Sequence, residues 1–253
     1  MRVVCERLRL VLAYDGSSFS GWQSQPGGVG VQDYLESALQ VLCDRPIRIH
    51  GAGRTDAGVH ALGQVAHADV PAGRFPLTTW TAALNANLPR AVRILDVTLA
   101  GPDFHARFSA SGKVYRYRIW NGRFHHPLEL GRSWHVPGEL SESRLQQVSQ
   151  KIVGTHDFRG FAANRGVVEP DTVREILSVT VRRDDELVEL EYRGNGFLYR
   201  MVRLLTASLV QVARGKLPEA WLDQLLCSPG EEKTNHCAPA EGLYLVRVEY
   251  PDP

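Results

Sequence analysis

Two periods run through the chain, and they separate its strands from its helices. Arg7–Tyr14 (RLRLVLAY) reads as a strand. Val31, Leu35, Ala38, Leu39 and Leu42 recur at helical spacing and predict a helix ending before Pro46. Short strands are expected at Ile47–Ala52 and Leu62–Ala68, a helix at Thr78–Asn87 stopped by Pro89, and a strand at Val92–Leu99. KVYRYRIW, Lys113–Trp120, alternates cleanly, with Lys113, Tyr115, Tyr117 and Ile119 on one face and Val114, Arg116, Arg118 and Trp120 on the other. Further on, the pattern predicts a helix from about Ser141. Two alternating strands follow, Val173–Arg182 and Leu187–Arg193, around the turn Arg183–Glu186. A long amphipathic helix over Asn195–Arg214, a shorter one at Pro218–Leu226 and a closing strand at Leu243–Glu249 complete the chain. Helices and hairpins mix without strict strand–helix alternation, so the expected class is α+β. No exact repeat occurs, but the order of elements in the two halves fits two related lobes sharing a sheet.

Two segments fall outside these periods. Asp15–Gly30 is a Gly/Ser-rich loop of a length that is usually functional or disordered, and Phe19 and Trp22 inside it argue against disorder. Asn121–Gly138 is a second long loop.

Composition narrows the class. At 253 residues and 43% hydrophobic, the chain can bury a sizeable core. Charges interrupt every apolar run, so no membrane span is expected. Glu6, Arg7 and Arg9 cut the N-terminal apolar stretch, which reads as a strand and not a signal peptide. Cys5, Cys43, Cys227 and Cys237 have no paired spacing, which favours free thiols and a cytoplasmic location. The formal net charge of +1 hides an asymmetry. Residues 1–125 carry 14 basic and 9 acidic side chains, and residues 126–253 carry 15 and 19. Nearly all the cations are arginine, which suits phosphates, although a GC-rich genome accounts for the excess as well.

The candidate chemistry lies in GAGRTDAGVHALGQVAHAD, Gly51–Asp69. Gly51-x-Gly53 starts like a dinucleotide fingerprint, but its sixth position is Asp56, which would repel a pyrophosphate. No Gly-Lys-Ser/Thr and no Gly-x-Ser-x-Gly occur. His60 and His67, His125 and His126, and Cys227, His236 and Cys237 lack the spacing of a zinc site. A glycosidase pair needs a second carboxylate, and Asp69 is thirteen residues from Asp56. What is left is a single carboxylate beside Arg54. If residues 54–56 are extended, the two side chains project to one side, and the guanidinium would favour the ionised acid. The pair is then either an ordinary ion pair in a turn or an activated nucleophile or base.

Several motifs occur together: Tyr14-Asp15-Gly16, Gly21-Trp22-Gln23, Gly51–His60, Asn85-Ala86-Asn87-Leu88-Pro89, Phe104-His105-Ala106-Arg107-Phe108, Met201-Val202-Arg203 and Glu241-Gly242-Leu243-Tyr244-Leu245. In order and spacing the chain resembles the TruA family of tRNA pseudouridine synthases from about Leu8 to Tyr250. The resemblance implies conversion of uridine to pseudouridine at positions 38, 39 and 40 of the tRNA anticodon stem-loop, by a homodimer that needs neither metal nor organic cofactor. It implies a continuous mixed, mainly antiparallel sheet flanked by helices, with an N-terminal lobe at 1–108 carrying the catalytic loop. A C-terminal lobe at 109–253 would complete a central cleft. It makes Asp56 the catalytic aspartate and Arg54 its partner, which takes part in flipping the nucleotide. Tyr115 would stack on the target uracil, Arg203 would be a second arginine of the pocket, and Leu245 would line it, with Leu243 on the same face. His60 becomes a structural part of its motif, and the Gly/Ser loop with Trp22 reads either as a mobile RNA-contacting element or, for Trp22, as core. RNA contacts from Asn121–Gly138 and Gly160–Pro170 are left open.

Overall fold

Leu8, Leu10, Leu12 and Tyr14 alternate along the first strand, β1 (Cys5–Tyr14), and all four are buried, as a period of two against a core requires. The structure, a computed structural model, describes residues 4–163, 171–227 and 232–251. It divides the chain into two compact units, Met1–Ser111 with Leu245–Pro253, and Gly112–Tyr244.

In the first unit β1 is followed by α1 (Val31–Cys43), β2 (Ile49–Gly51), β3 (His60–Pro71), α2 (Leu77–Ala86) and β4 (Val92–Ala100). β1 lies between β3 and β4, antiparallel to both, and β2 adds antiparallel to β3. On the buried face Leu8 and Leu10 sit opposite Ala68 and Ala66. These small residues leave room for the core side chains. α1 buries Val31, Leu35, Ala38 and Leu39 of the stripe its periodicity predicts, with Leu42 half-buried, and α2 buries Trp80 and Leu84. At the start of α1 the Asp33 carboxylate accepts from the Gly30 N–H at 2.8 Å. The other face of this sheet pairs Arg7 with Asp69 and Arg9 with His67.

The second unit contains β5 (Gly112–Trp120), β6 (Trp134–His135), α3 (Glu142–Ser149), β7 (Gly154–Asp157), β8 (Val173–Asp184), β9 (Leu187–Gly194), α4 (Met201–Ala213) and α5 (Glu219–Cys227). The chain closes with β10 (Leu243–Glu249), most of which belongs to the first unit. β9 pairs antiparallel with β5 and β8, β8 with β7, and β6 adds parallel to β5. Tyr117 and Tyr192 are fully buried, and each hydroxyl finds a partner: Tyr117 donates to Pro239 O at 2.8 Å, and Tyr192 lies 2.9 Å from the Thr206 hydroxyl. A buried hydroxyl without a partner would cost ~1–3 kcal/mol.

Ten strands among the described residues form a mixed, mainly antiparallel sheet flanked by helices, the α+β class the pattern predicts. The clearest departure is the long helix, which starts at Met201 and not at Asn195. Asn195 exchanges two 3.1 Å hydrogen bonds with the backbone of Glu175 in β8, and Arg200 is left-handed with φ 59°. The strand captures the chain before the helix can begin. Residues 164–170 of Gly160–Pro170 lie outside the described residues. Among those described, no helix is long and apolar enough to cross a membrane.

Candidate functional site

Asp56 occupies the first corner of a turn. Val59 N–H donates to Asp56 O at 3.1 Å, and Gly58 has φ +79°, the pattern of a type II turn that needs glycine at its third position. The turn leads directly into β3, and the Asp56 side chain is half-buried.

The residue before it, Thr55, is held from three sides. Its hydroxyl meets the Tyr14 hydroxyl at 2.7 Å, its carbonyl accepts from Trp22 N–H at 3.1 Å, and it is itself buried. Gln64, fully buried in β3, donates to Gly53 O at 2.9 Å and lies 3.5 Å from the Tyr14 hydroxyl. Burial pushes the Tyr14 phenol up to about 12, so its proton stays in place across the physiological range. On the far side of the turn His60 Nδ1 lies 3.1 Å from Gly16 N and 3.2 Å from Asp15 Oδ1, and its ring is buried. This is the structural role its motif implies.

Trp22 completes the seat. It is 3% exposed, and the Gly51 backbone lies flat against its indole, so that a Cβ at Gly51 would stand 2.5 Å from ring atoms. Of the two readings of Trp22, the structure selects core. Tyr14, Trp22 and Gln64 therefore brace the Asp56 turn, and only their occurrence beside the Gly51–His60 motif hinted at it. For Gln64 the one local sign is a polar side chain at an inward position, opposite Leu12 of β1.

Arg54 departs from expectation. It is exposed and forms no ion pair among the described residues, so the anticipated Arg54–Asp56 pair is not made. Residues 54–56 belong to no strand and run into the turn at Ala57 and Gly58.

The other expected residues take the following places. Leu245 is fully buried in β10, with Leu243 also buried two residues before it. Tyr115 is 7% exposed in β5, opposite Tyr192 of β9, with its ring edge-on to Phe197 at 5.2 Å. Arg203 lies in the first turn of α4, half-buried, and donates through Nε to Ala238 O at 2.8 Å. Arg54, Asp56 and Leu245 thus belong to the first unit, and Tyr115 and Arg203 to the second. No cluster of three His, Cys, Asp or Glu among the described residues is arranged to hold a metal ion.

The chain has relatives among known proteins. It matches a family model described as tRNA pseudouridine synthase over residues 10–109 and 148–251. Those stretches include Arg54, Asp56, Arg203 and Leu245, while Tyr115 falls between them. It is 48% identical to tRNA pseudouridine synthase A of Akkermansia muciniphila, over 97% of this chain and 96% of that protein. The protein of the same name from Solidesulfovibrio magneticus is 46% identical over 98% and 92%, and that from Limosilactobacillus fermentum 42% over 98% and 97%.

Proposed function

The chain belongs to the tRNA pseudouridine synthase family, whose members isomerise uridine to pseudouridine in tRNA, and on that premise we propose that Asp56 is the carboxylate that carries the reaction. The observation that supports it is the turn itself: one half-buried carboxylate, with the residue before it fixed by Tyr14 and Trp22. The substrate is a uridine at positions 38, 39 and 40 of the anticodon stem-loop. A base inside a stem is out of reach, so the nucleotide is extruded first, with Arg54 free to move into the space it leaves. The Asp56 carboxylate adds at C1′ or at C6. Either route breaks the C1′–N1 bond, turns the base and joins C5 to C1′. C5 then loses its hydrogen to solvent and N1 ends protonated, so substrate and product have the same mass.

Tyr115 supplies the flat surface for the extruded uracil, a contact of ~1–3 kcal/mol. Arg203 contributes a fixed positive charge, and Leu245 an apolar wall. The enzyme works in the cytoplasm as a homodimer.

Loss of the C5 hydrogen makes the reaction measurable. With tRNA carrying tritium at C5 of uridine, Asp56→Ala should release none above background while binding the RNA as the wild type does. Substantial release by this variant would sink the assignment. Tyr115→Phe should keep more activity than Tyr115→Ala if stacking is its main task; equal losses point to the hydroxyl instead.

A further inference from the structure

Residues 101–109 leave the end of β4 as a strap lying on the sheet face of Arg7 and His67. Its backbone is pinned repeatedly. Arg7 donates to Pro102 O at 2.6 Å and Phe104 O at 2.8 Å while gripping both Asp69 oxygens at 2.7 and 2.8 Å. Ala106 N–H donates to His67 Nδ1 at 3.1 Å, and the Tyr250 hydroxyl donates to Ala106 O at 2.7 Å. The N–H groups of Arg107 and Phe108 both donate to His105 Nδ1, at 3.1 and 3.3 Å.

This pinned backbone presents an aromatic ring and a cation at the surface. Phe108 is 74% exposed, and the Arg107 guanidinium lies 5.5 Å from its ring centre. The His105 ring lies 4.3 Å from Phe108 on its other contact, and His105 packs in turn on His67 at 4.6 Å. Arg107 is exposed and has no ion pair among the described residues, and the nearby Asp69 is already held by Arg7. An apolar ring fixed outward beside a guanidinium of unspent charge matches a nucleobase next to its phosphate.

We propose that Arg107 and Phe108 form a tRNA-contacting platform separate from the Asp56 turn, Phe108 stacking on an unpaired base and Arg107 pairing with the adjoining phosphate. This inference rests on tRNA being the substrate. The pinned strap keeps the platform ordered before RNA arrives, so little ordering entropy is lost on binding.

The test uses the full-length protein and one unmodified tRNA transcript, with affinity measured between 50 and 200 mM salt in the regime where counterion release sets the slope, roughly as for other phosphate contacts. Phe108→Ala should weaken binding roughly 5- to 150-fold with little change in the salt slope, and Phe108→Trp should restore it. Arg107→Ala should weaken binding and lower the salt slope by about 1. Single-turnover rates at saturating tRNA should match the wild type for all three, placing the defect in KM and not in kcat. Unchanged affinity in Phe108→Ala and Arg107→Ala overturns the platform. So does a fall in sedimenting mass at unchanged affinity, which makes the strap a protein contact. Absence of tritium release by the wild type would instead break the functional reading, so the two failures are distinct.

Discussion

Two loops of the first unit use similar means for opposite ends. Around Asp56, buried groups from β1, β3 and the Asp15–Gly30 loop fix a turn whose carboxylate is only half-covered. In the 104–108 strap, half-buried Arg7 of β1, buried His67 of β3 and half-buried Tyr250 after β10 fix a backbone that holds an aromatic ring outside. The difference lies in what is displayed: a single charge in a sheltered seat, or apolar surface and a cation in the open. Sheltering strengthens electrostatic interaction with a reacting group, whereas exposure favours rapid, salt-sensitive contact with a polyanion.

Truncating one aromatic in each loop gives the widest contrast. Trp22→Ala removes a buried indole and should cost about 3–5 kcal/mol, read by urea unfolding. Phe108→Ala should stay within about 0.5 kcal/mol of wild type, because its ring buries little. Similar losses at the two sites would erase the distinction.

The strap also carries a pH signature. Burial first, and then the neighbouring charges of His105, His50 and Arg7, lower His67 to about 4, with Asp69 opposing. The unfolded chain protonates this histidine near 6.5. Between those values the unfolded state binds more protons, so stability is fully present above about pH 6.5 and falls as the pH drops towards 4. At ~1.4 kcal/mol per unit the loss is at most about 3.5 kcal/mol. His67→Gln should flatten this slope in unfolding midpoints measured from pH 7 to 4.5. An unaltered slope would show that the acid sensitivity arises elsewhere.

A smaller loss of stability probes the Asp56 seat. Tyr14→Phe leaves the ring and removes the hydroxyl that meets Thr55, costing about 1 kcal/mol. Its larger consequence should be a fall in single-turnover rate with tRNA affinity kept, since the turn loosens while the RNA surface stays intact. A fall in affinity with an unaltered rate would detach Tyr14 from the placement of Asp56.

Most elements were legible because burial follows local periods. The α1 stripe and the alternation in β1 and β5 appear in the structure as their patterns predict. The start of α4 was not legible, because its apolar spacing runs on through residues that Glu175, twenty positions earlier, takes as strand partners. The placing of Arg54 and Asp56 was not legible for a related reason: residues 54–56 belong to no strand, so strand alternation does not set where their side chains project.

By itself, the amino-acid order determined the α+β class, the faces of its strands and the solitary Asp56 within a glycine-rich motif. Those properties depend on neighbours a few residues apart. The seat of that carboxylate and the outward ring of Phe108 were decided only in three dimensions. Tyr14 reaches Thr55 across 41 positions, Gln64 reaches Tyr14 across 50, and Tyr250 reaches Ala106 across 144. Hydrogen bonds over such separations leave no local period. They exist because folding brings together polar groups that, once buried, are stable only in each other's company.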